Sequence, residues 1–175
     1  FVLEILSQIK EKGNVIGCFG LTESITGSNP SAMETNFEEV SDGYILNGSK
    51  NWITNAPIAD VFIIWAYDKN KNVHGFILDK QLKGLTTSKI EKASIKIAQA
   101  GKIFLKDVKV SKDSILPNTE GWKSVYSCIN KARYGIAWGA MGAAETCWHI
   151  AKEYTEKRII NGKPLDSRQL VQKKL

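Results

Sequence analysis

The hydrophobic period changes once along this chain, from two to between three and four, and that single change limits the fold more than any other feature. From Val15 to about Val110, short β-branched and aromatic runs alternate inward and outward: Ile16-Gly17-Cys18-Phe19, Tyr44-Ile45-Leu46, Asn51-Trp52-Ile53-Thr54, Val61 to Ala66, Val73 to Leu78 and Ile103-Phe104-Leu105. Turn signals separate them, among them Ser41-Asp42-Gly43, Asn47-Gly48, Asp68 to Asn72 and Lys83-Gly84. Short strands at this spacing predict an antiparallel sandwich or small barrel. Asn47-Gly48 predicts a two-residue hairpin, because a type I′ turn requires positive φ at both central positions. Such a turn would carry Trp52 back across the sheet.

After a last strand at Asp107 to Val110 and a linker through Pro117 to Gly121, the period lengthens. From Trp122 to about Arg158 there is neither proline nor a turn cluster, while Val125, Ile129, Ala132, Ile136, Gly139, Ala143, Cys147 and Ile150 recur at three or four. The spacing predicts a helix of ~37 residues, ~55 Å long at 1.5 Å per residue. Gly135, Gly139 and Gly142 thin one stretch of it, which predicts close approach by another helix or a ligand. Asn161-Gly162-Lys163-Pro164 ends the helix, and Asp166 or Ser167 is placed to cap the next. At the other end, Phe1, Val2, Ile5, Leu6 and Ile9 have the spacing of a helix end stopped by Gly13-Asn14. The expected division is 1–14, 15–117 and 118–175, with a longer natural chain expected on both sides.

Composition excludes several classes. At 43% hydrophobic and 24% charged, the 175 residues have the balance of a folded globular protein and enough length for a core. The net charge of +6 comes from dispersed lysines, without the block expected of a nucleic-acid surface, so no nucleic-acid partner is expected. Cys18, Cys128 and Cys147 share no metal spacing, and His74 and His149 stand apart, so no metal and a reducing compartment are expected. The longest small-apolar run, Gly135 to Ala144, is well short of the ~20 residues of a membrane span.

Chemistry gathers where the strand pattern breaks. Phe19-Gly20-Leu21-Thr22-Glu23 runs out of the first strand into hydroxyls and glycines ending at Gly27-Ser28, and Trp52-Ile53-Thr54 sets an indole beside a hydroxyl. Together they predict an aromatic wall and hydrogen-bond donors for a planar polar ligand.

These stretches, with Leu46-Asn47-Gly48-Ser49-Lys50, Asn130-Lys131-Ala132-Arg133-Tyr134-Gly135, Arg158, Pro164-Leu165 and Gln169-Leu170, resemble the acyl-CoA dehydrogenase family along the whole chain and in order. The likeness is strongest to members that oxidise glutaryl-CoA and decarboxylate it to crotonyl-CoA. It implies an α+β architecture: the tail of a helical domain, a complete β-barrel or sandwich middle domain, and the opening of a four-helix bundle. It implies FAD, with Phe19, Gly20, Leu21, Thr22, Glu23, Gly27 and Ser28 lining the ring. Thr22 would face the pyrimidine edge, Trp52 and Ile53 one face, and Thr54 the reactive nitrogen. Ser28 would meet the acyl chain, and Tyr126, Asn130 and Arg133 the CoA portion, the last because a guanidinium is always charged and forks onto oxygen.

Arg158 and Gln169 resemble residues that reach the FAD of a neighbouring subunit, implying a homotetramer. The electron acceptor implied is an electron-transferring flavoprotein, and the compartment is the cytoplasm of a bacterium or the mitochondrial matrix of a eukaryote. No residue of this chain is the implied catalytic base; that glutamate is expected beyond Leu175 and the arginine gripping a distal carboxylate before Phe1. An inactive remnant or binding module, and a dehydrogenase of another acyl specificity, are the alternatives. Departures from the pattern are Ser24, Asn29, Lys96-Ile97-Ala98-Gln99 and Asn161, the last standing where an aromatic side chain is usual against the adenine end of FAD.

Overall fold

The computed structural model describes residues 15–119 and 121–175. The helix end expected over 1–14 lies outside them. The chain divides into two compact units after Lys123.

The first unit is one curled sheet of seven strands: β1 (Gly17–Gly20), β2 (Asn36–Val40), β3 (Gly43–Thr54), β4 (Val61–Tyr67), β5 (Val73–Asp79), β6 (Leu85–Ile90) and β7 (Ala100–Ser111). Four pairings are antiparallel, β2 with β3, β3 with β7, β6 with β7 and β4 with β5. β1 and β2 run parallel to β4, so the sheet is mixed, which strand patterning could not reveal. Since β5 takes one edge of β4 along its whole length, β1 and β2 share the other edge end to end. The fifteen residues Leu21 to Thr35 are therefore an excursion between two collinear strands. That is why a strand pattern dissolves into hydroxyls there.

The core lies on the concave face, where Leu46, Phe62, Ile64, Phe76, Leu78, Ile103 and Val108 are fully buried. Phe37 and Phe76 meet edge to face at 4.8 Å between centroids, the geometry that ring quadrupoles favour. β4 is buried at six of seven positions because strands flank both its edges. β2 and β6 were missing from the expected strand set, since Glu38-Glu39 and Thr86-Thr87-Ser88-Lys89 present mostly exposed polar side chains.

The expected Asn47-Gly48 hairpin does not exist. β3 runs straight through it, and the β2–β3 hairpin turns one step earlier, at Ser41-Asp42 between Val40 and Gly43. Asn47 instead holds a β-bulge on the neighbouring strand: its Oδ1 accepts the Asp107 N–H at 2.8 Å and its Nδ2 donates to Asp107 Oδ1 at 3.2 Å. Asp107 has φ +50°, and the inward phase of β7 shifts from Ile103 and Leu105 to Val108 and Val110. A one-residue slip would turn every later side chain to the wrong face, and the bulge absorbs it. Farther along the same pair a second bulge, on β3 between Lys50 and Ile53, returns the register.

Gly48 is glycine for its φ of +142° and because a Cβ there would lie 2.7 Å from the Thr35 Cα. Gly48→Val is expected to lower stability by about 1–3 kcal/mol through backbone strain alone, read as a lower denaturant midpoint at unchanged m-value.

The second unit is dominated by α1 (Trp122–Lys157), 36 residues long as the period predicts. β8 (Ile159–Ile160) and β9 (Lys163–Pro164) then form a hairpin around Asn161 and Gly162, with φ of +52° and +75°. The positive-φ pair of a type I′ turn is thus here and not at Asn47-Gly48. A 3-10 turn at Leu165–Ser167 leads to α2 (Gln169–Gln172). Neither Asp166 nor Ser167 caps α2; the Ser167 hydroxyl donates to the Pro164 carbonyl at 2.6 Å. Among the described residues no helix is long and apolar enough to cross a membrane, and no group of three His, Cys, Asp or Glu could hold a metal.

Candidate functional site

The excursion after β1 and the second bulge of β3 come together through one backbone bond, Asn51 N–H to the Thr22 carbonyl at 2.8 Å. On either side of that bond the chain does opposite things. Lys50 points into the core, with its side chain wholly buried, and Trp52 points out, 57% exposed. Strict alternation would have sent Lys50 and Trp52 to the same face. The bulge separates them by turning Trp52 to φ +60°, while the Asn51 Oδ1 accepts the Trp52 N–H at 3.0 Å. Ile53 returns to the core at 3% exposure and Thr54 is again outward.

Lys50 is the residue that reading the sequence missed, when all the lysines were placed on a solvated surface. Its ammonium donates to Glu23 Oε1 at 2.9 Å and to the Leu21 carbonyl at 3.1 Å, and lies 3.6 Å from the Met33 sulfur. The Glu23 carboxylate also accepts the Glu34 N–H at 2.7 Å and the Thr35 N–H at 3.0 Å. Burial pushes the Glu23 pKa up, but the Lys50 charge and the hydrogen bonds from Thr35 and Glu34 outweigh it, so the carboxyl sits below the ordinary glutamate value. Burial pulls the Lys50 ammonium down to about 8, with Glu23 opposing. Both groups are charged at neutral pH. A signal was available in the sequence: Lys50 holds the inward phase of a strand that also carries Leu46, and a lysine there needs an acidic partner.

This arrangement sorts the residues expected around a planar ligand. The side chains of Leu21, Glu23 and Ile53 are turned into the fold, and a Cβ on Gly20 would meet Ile64 Cδ1 at 2.6 Å. Phe19 and Thr22 are half-buried, Phe19 lying against Trp65 at 6.1 Å between centroids. Gly27, Ser28, Trp52 and Thr54 are exposed. Thr26, within the stretch expected to line the ligand, is buried at 6% exposure with no partner for its hydroxyl among the described residues. An exposed indole, exposed hydroxyls and an unsatisfied buried hydroxyl fit a planar ligand with an apolar face and a polar edge. Three hollows of about 480 to 660 Å³ in the first unit lie elsewhere, around Tyr44, His74 and Lys106, and none is lined by residues 19–28 or 52–54.

In the second unit Tyr126, Asn130 and Arg133 fall at i, i+4 and i+7, on one face of α1. Arg133 Nη1 donates to Asn130 Oδ1 at 3.3 Å, which holds the guanidinium along the helix surface. Arg158 and Gln169 are both exposed; the Arg158 carbonyl accepts the Leu165 N–H at 2.7 Å and so fixes the base of the β8–β9 hairpin. Asn161 supplies a positive φ in that turn, a conformation asparagine tolerates better than an aromatic residue does. Cys18 is buried, its thiol pushed up to about 12, and carries no nucleophile.

Residues 18–108 match the family profile described as acyl-CoA dehydrogenase, middle domain, and residues 119–175 that of its C-terminal domain. A curated relative, glutaryl-CoA dehydrogenase of Desulfococcus multivorans, is 37% identical over 163 residues, which is 90% of this chain and 42% of that protein. The solved glutaryl-CoA dehydrogenase of Mycobacterium smegmatis, in complex with FADH2, superposes with a TM-score of 0.93 at 38% identity, over 98% of this chain and 44% of that one. Butyryl-CoA dehydrogenase of Megasphaera elsdenii gives 0.89 at 35% identity, over 98% and 46%. The chain spans less than half the length of each of these proteins.

Proposed function

Because the chain belongs to the acyl-CoA dehydrogenase family, we propose that it forms the flavin-facing part of an FAD-dependent dehydrogenase acting on glutaryl-CoA. The observation that carries this reading is Trp52, 57% exposed in a left-handed backbone, one residue beyond the bond between Asn51 and Thr22. A large indole in that conformation is costly unless something uses it. FAD, when bound, supplies the acceptor for the hydride removed from the β-carbon of the thioester.

The residues of this chain bind, orient and exclude water. Trp52 would cover one face of the ring, Thr22 would hydrogen-bond its pyrimidine edge, and Thr54 would lie near its reactive nitrogen. Ser28 bounds the acyl end. Tyr126, Asn130 and Arg133 hold the CoA portion from their common helix face, where Arg133 is preset by Asn130. Holding the reacting carbons against the ring supplies much of the rate in such a reaction. Glu23 is not the base for the α-proton, since it is committed to Lys50 and two backbone N–H groups. Arg158 and Gln169 reach the FAD of a second subunit, so the protein works as a homotetramer, with an electron-transferring flavoprotein as acceptor.

The likeness to the butyryl-CoA enzyme nearly equals that to the glutaryl-CoA enzyme, which makes a short straight-chain acyl-CoA the second reading. Turnover by the protein as its source makes it decides between them. Glutaryl-CoA oxidation with release of CO2 supports the first, exclusive use of butyryl-CoA the second, and a flavin-free protein overturns both. Arg133→Gln is expected to raise KM for the acyl-CoA about 10- to 100-fold with kcat little changed, the loss of one charge-assisted contact to a remote part of the substrate.

A further inference from the structure

Two consecutive residues of β3 tie the excursion after β1 to the sheet, and the next turns away from it. Lys50 reaches the Leu21 carbonyl at 3.1 Å and Glu23 at 2.9 Å, Asn51 N–H reaches the Thr22 carbonyl at 2.8 Å, and Trp52 is thrown outward by the bulge. Glu23 in turn gathers the far end of the excursion through the N–H groups of Glu34 and Thr35. Both ends of the loop therefore converge on one wholly buried ammonium. Leu21 and Glu23 bracket Thr22, and Lys50 precedes Trp52 by two, so this cation and the Asn51–Thr22 bond together tie the polar edge to the aromatic wall.

We propose that Lys50 and Glu23 are positioning residues for FAD: the buried pair fixes the excursion Leu21 to Thr35 against the Trp52 bulge, and so sets the gap into which the ring fits. The inference rests on the flavin reading above. Neither side chain is open to a ligand, so both act through Thr22 and Trp52. Met33 beside the ammonium leaves room for an apolar chain of lysine's length, which makes the charge, and not the volume, the separable feature.

A purely structural pair and a positioning pair respond differently to the removal of both charges together. Replacing a buried ion pair by apolar or neutral groups of similar size commonly restores stability. The double variant Lys50→Met with Glu23→Gln keeps the volume and one of the two acceptors that serve the Glu34 and Thr35 N–H groups, and loses the hold on the Leu21 carbonyl. In the protein as its source makes it, this variant is expected to lose less stability than Lys50→Met alone and to stay folded at the temperature of the titration, while its Kd for FAD rises at least tenfold and the visible flavin band changes shape. Wild-type FAD affinity and band shape in a folded double variant overturn the positioning role and leave the flavin reading intact. If the wild-type protein binds no FAD, the reading itself fails, and the inference with it. Should the double variant not fold, Glu23→Asp, which keeps the charge but shortens its reach to Lys50, Glu34 and Thr35, decides the matter. A rise in Kd at temperatures where the protein is folded supports the proposal, and unchanged affinity overturns it.

Discussion

Lys50→Met as a single change is expected to lower the stability of the sheet unit by about 3–5 kcal/mol, because it leaves the Glu23 carboxylate buried without its cation. For a unit of this size that corresponds to a fall in Tm on the order of 12 °C or more. A loss under about 1 kcal/mol would mean that the two backbone N–H bonds from Glu34 and Thr35 suffice to hold the carboxylate. The same pair sets an acid limit. The Glu23 pKa in the fold lies below the 4.5 of an ordinary glutamate, so the folded state binds its proton less readily than the unfolded chain does. Its stabilisation is complete above that value and is lost as pH falls through the folded pKa. The denaturant midpoint of the wild type should therefore drop below pH 4.5, with a shallower drop in Glu23→Gln. Lys50 contributes a cost instead. Its pKa is about 8 in the fold and 10.5 ordinarily, so the unfolded chain holds the proton more tightly. The cost of burying the ammonium therefore grows as pH falls from 10.5 to about 8 and is constant below that. Read upward, stability rises as pH rises through that window, because the unfolded chain binds a proton there that the fold has already given up.

Trp52→Gly is expected to change stability and cofactor binding in opposite senses. At φ +60° an indole-bearing residue carries a steric cost of roughly 1–2 kcal/mol that glycine does not, partly offset by the glycine's larger entropy loss of ~0.5–1 kcal/mol. Since the indole is 57% exposed, little core packing is lost with it. The unfolding temperature should stay level or rise by a few degrees, ~1 kcal/mol in a domain of this size. FAD affinity should fall at least tenfold, which is the ~1.4 kcal/mol expected from losing an aromatic face against the ring. Calorimetry and a flavin titration on one preparation give both signs. A variant that loses stability and keeps FAD would place Trp52 among ordinary sheet residues.

Much of the site could be read from the chain because motifs are local. Thr22 to Ser28 and Trp52 to Thr54 stand out by chemistry alone, and α1 was readable because an unbroken period of 3.6 specifies a helix whatever surrounds it. Asn47-Gly48 misled for the opposite reason. Asn47 and Gly48 suit a hairpin turn, but here Asn47 serves a bulge through its side chain, and the choice was made by Asp107, sixty residues away, and by Thr35 pressing on Gly48. At Asn161-Gly162, where a Cβ on the glycine would meet nothing within 4 Å beyond its chain neighbours, the local preference prevailed and the turn formed.

Periodicity and the chemistry of adjacent side chains were enough to specify the division into a sheet-forming and a helix-forming part, the length of the long helix, and the two polar stretches where strands break off. Long-range pairing was needed for the rest. It set β1 and β2 end to end on β4, placed two compensating bulges to hold β3 and β7 in register, and sent Lys50 inward while Trp52 went out. Those outcomes depend on contacts between residues tens of positions apart. No local pattern carries the energy of a buried ion pair or the register of a distant strand.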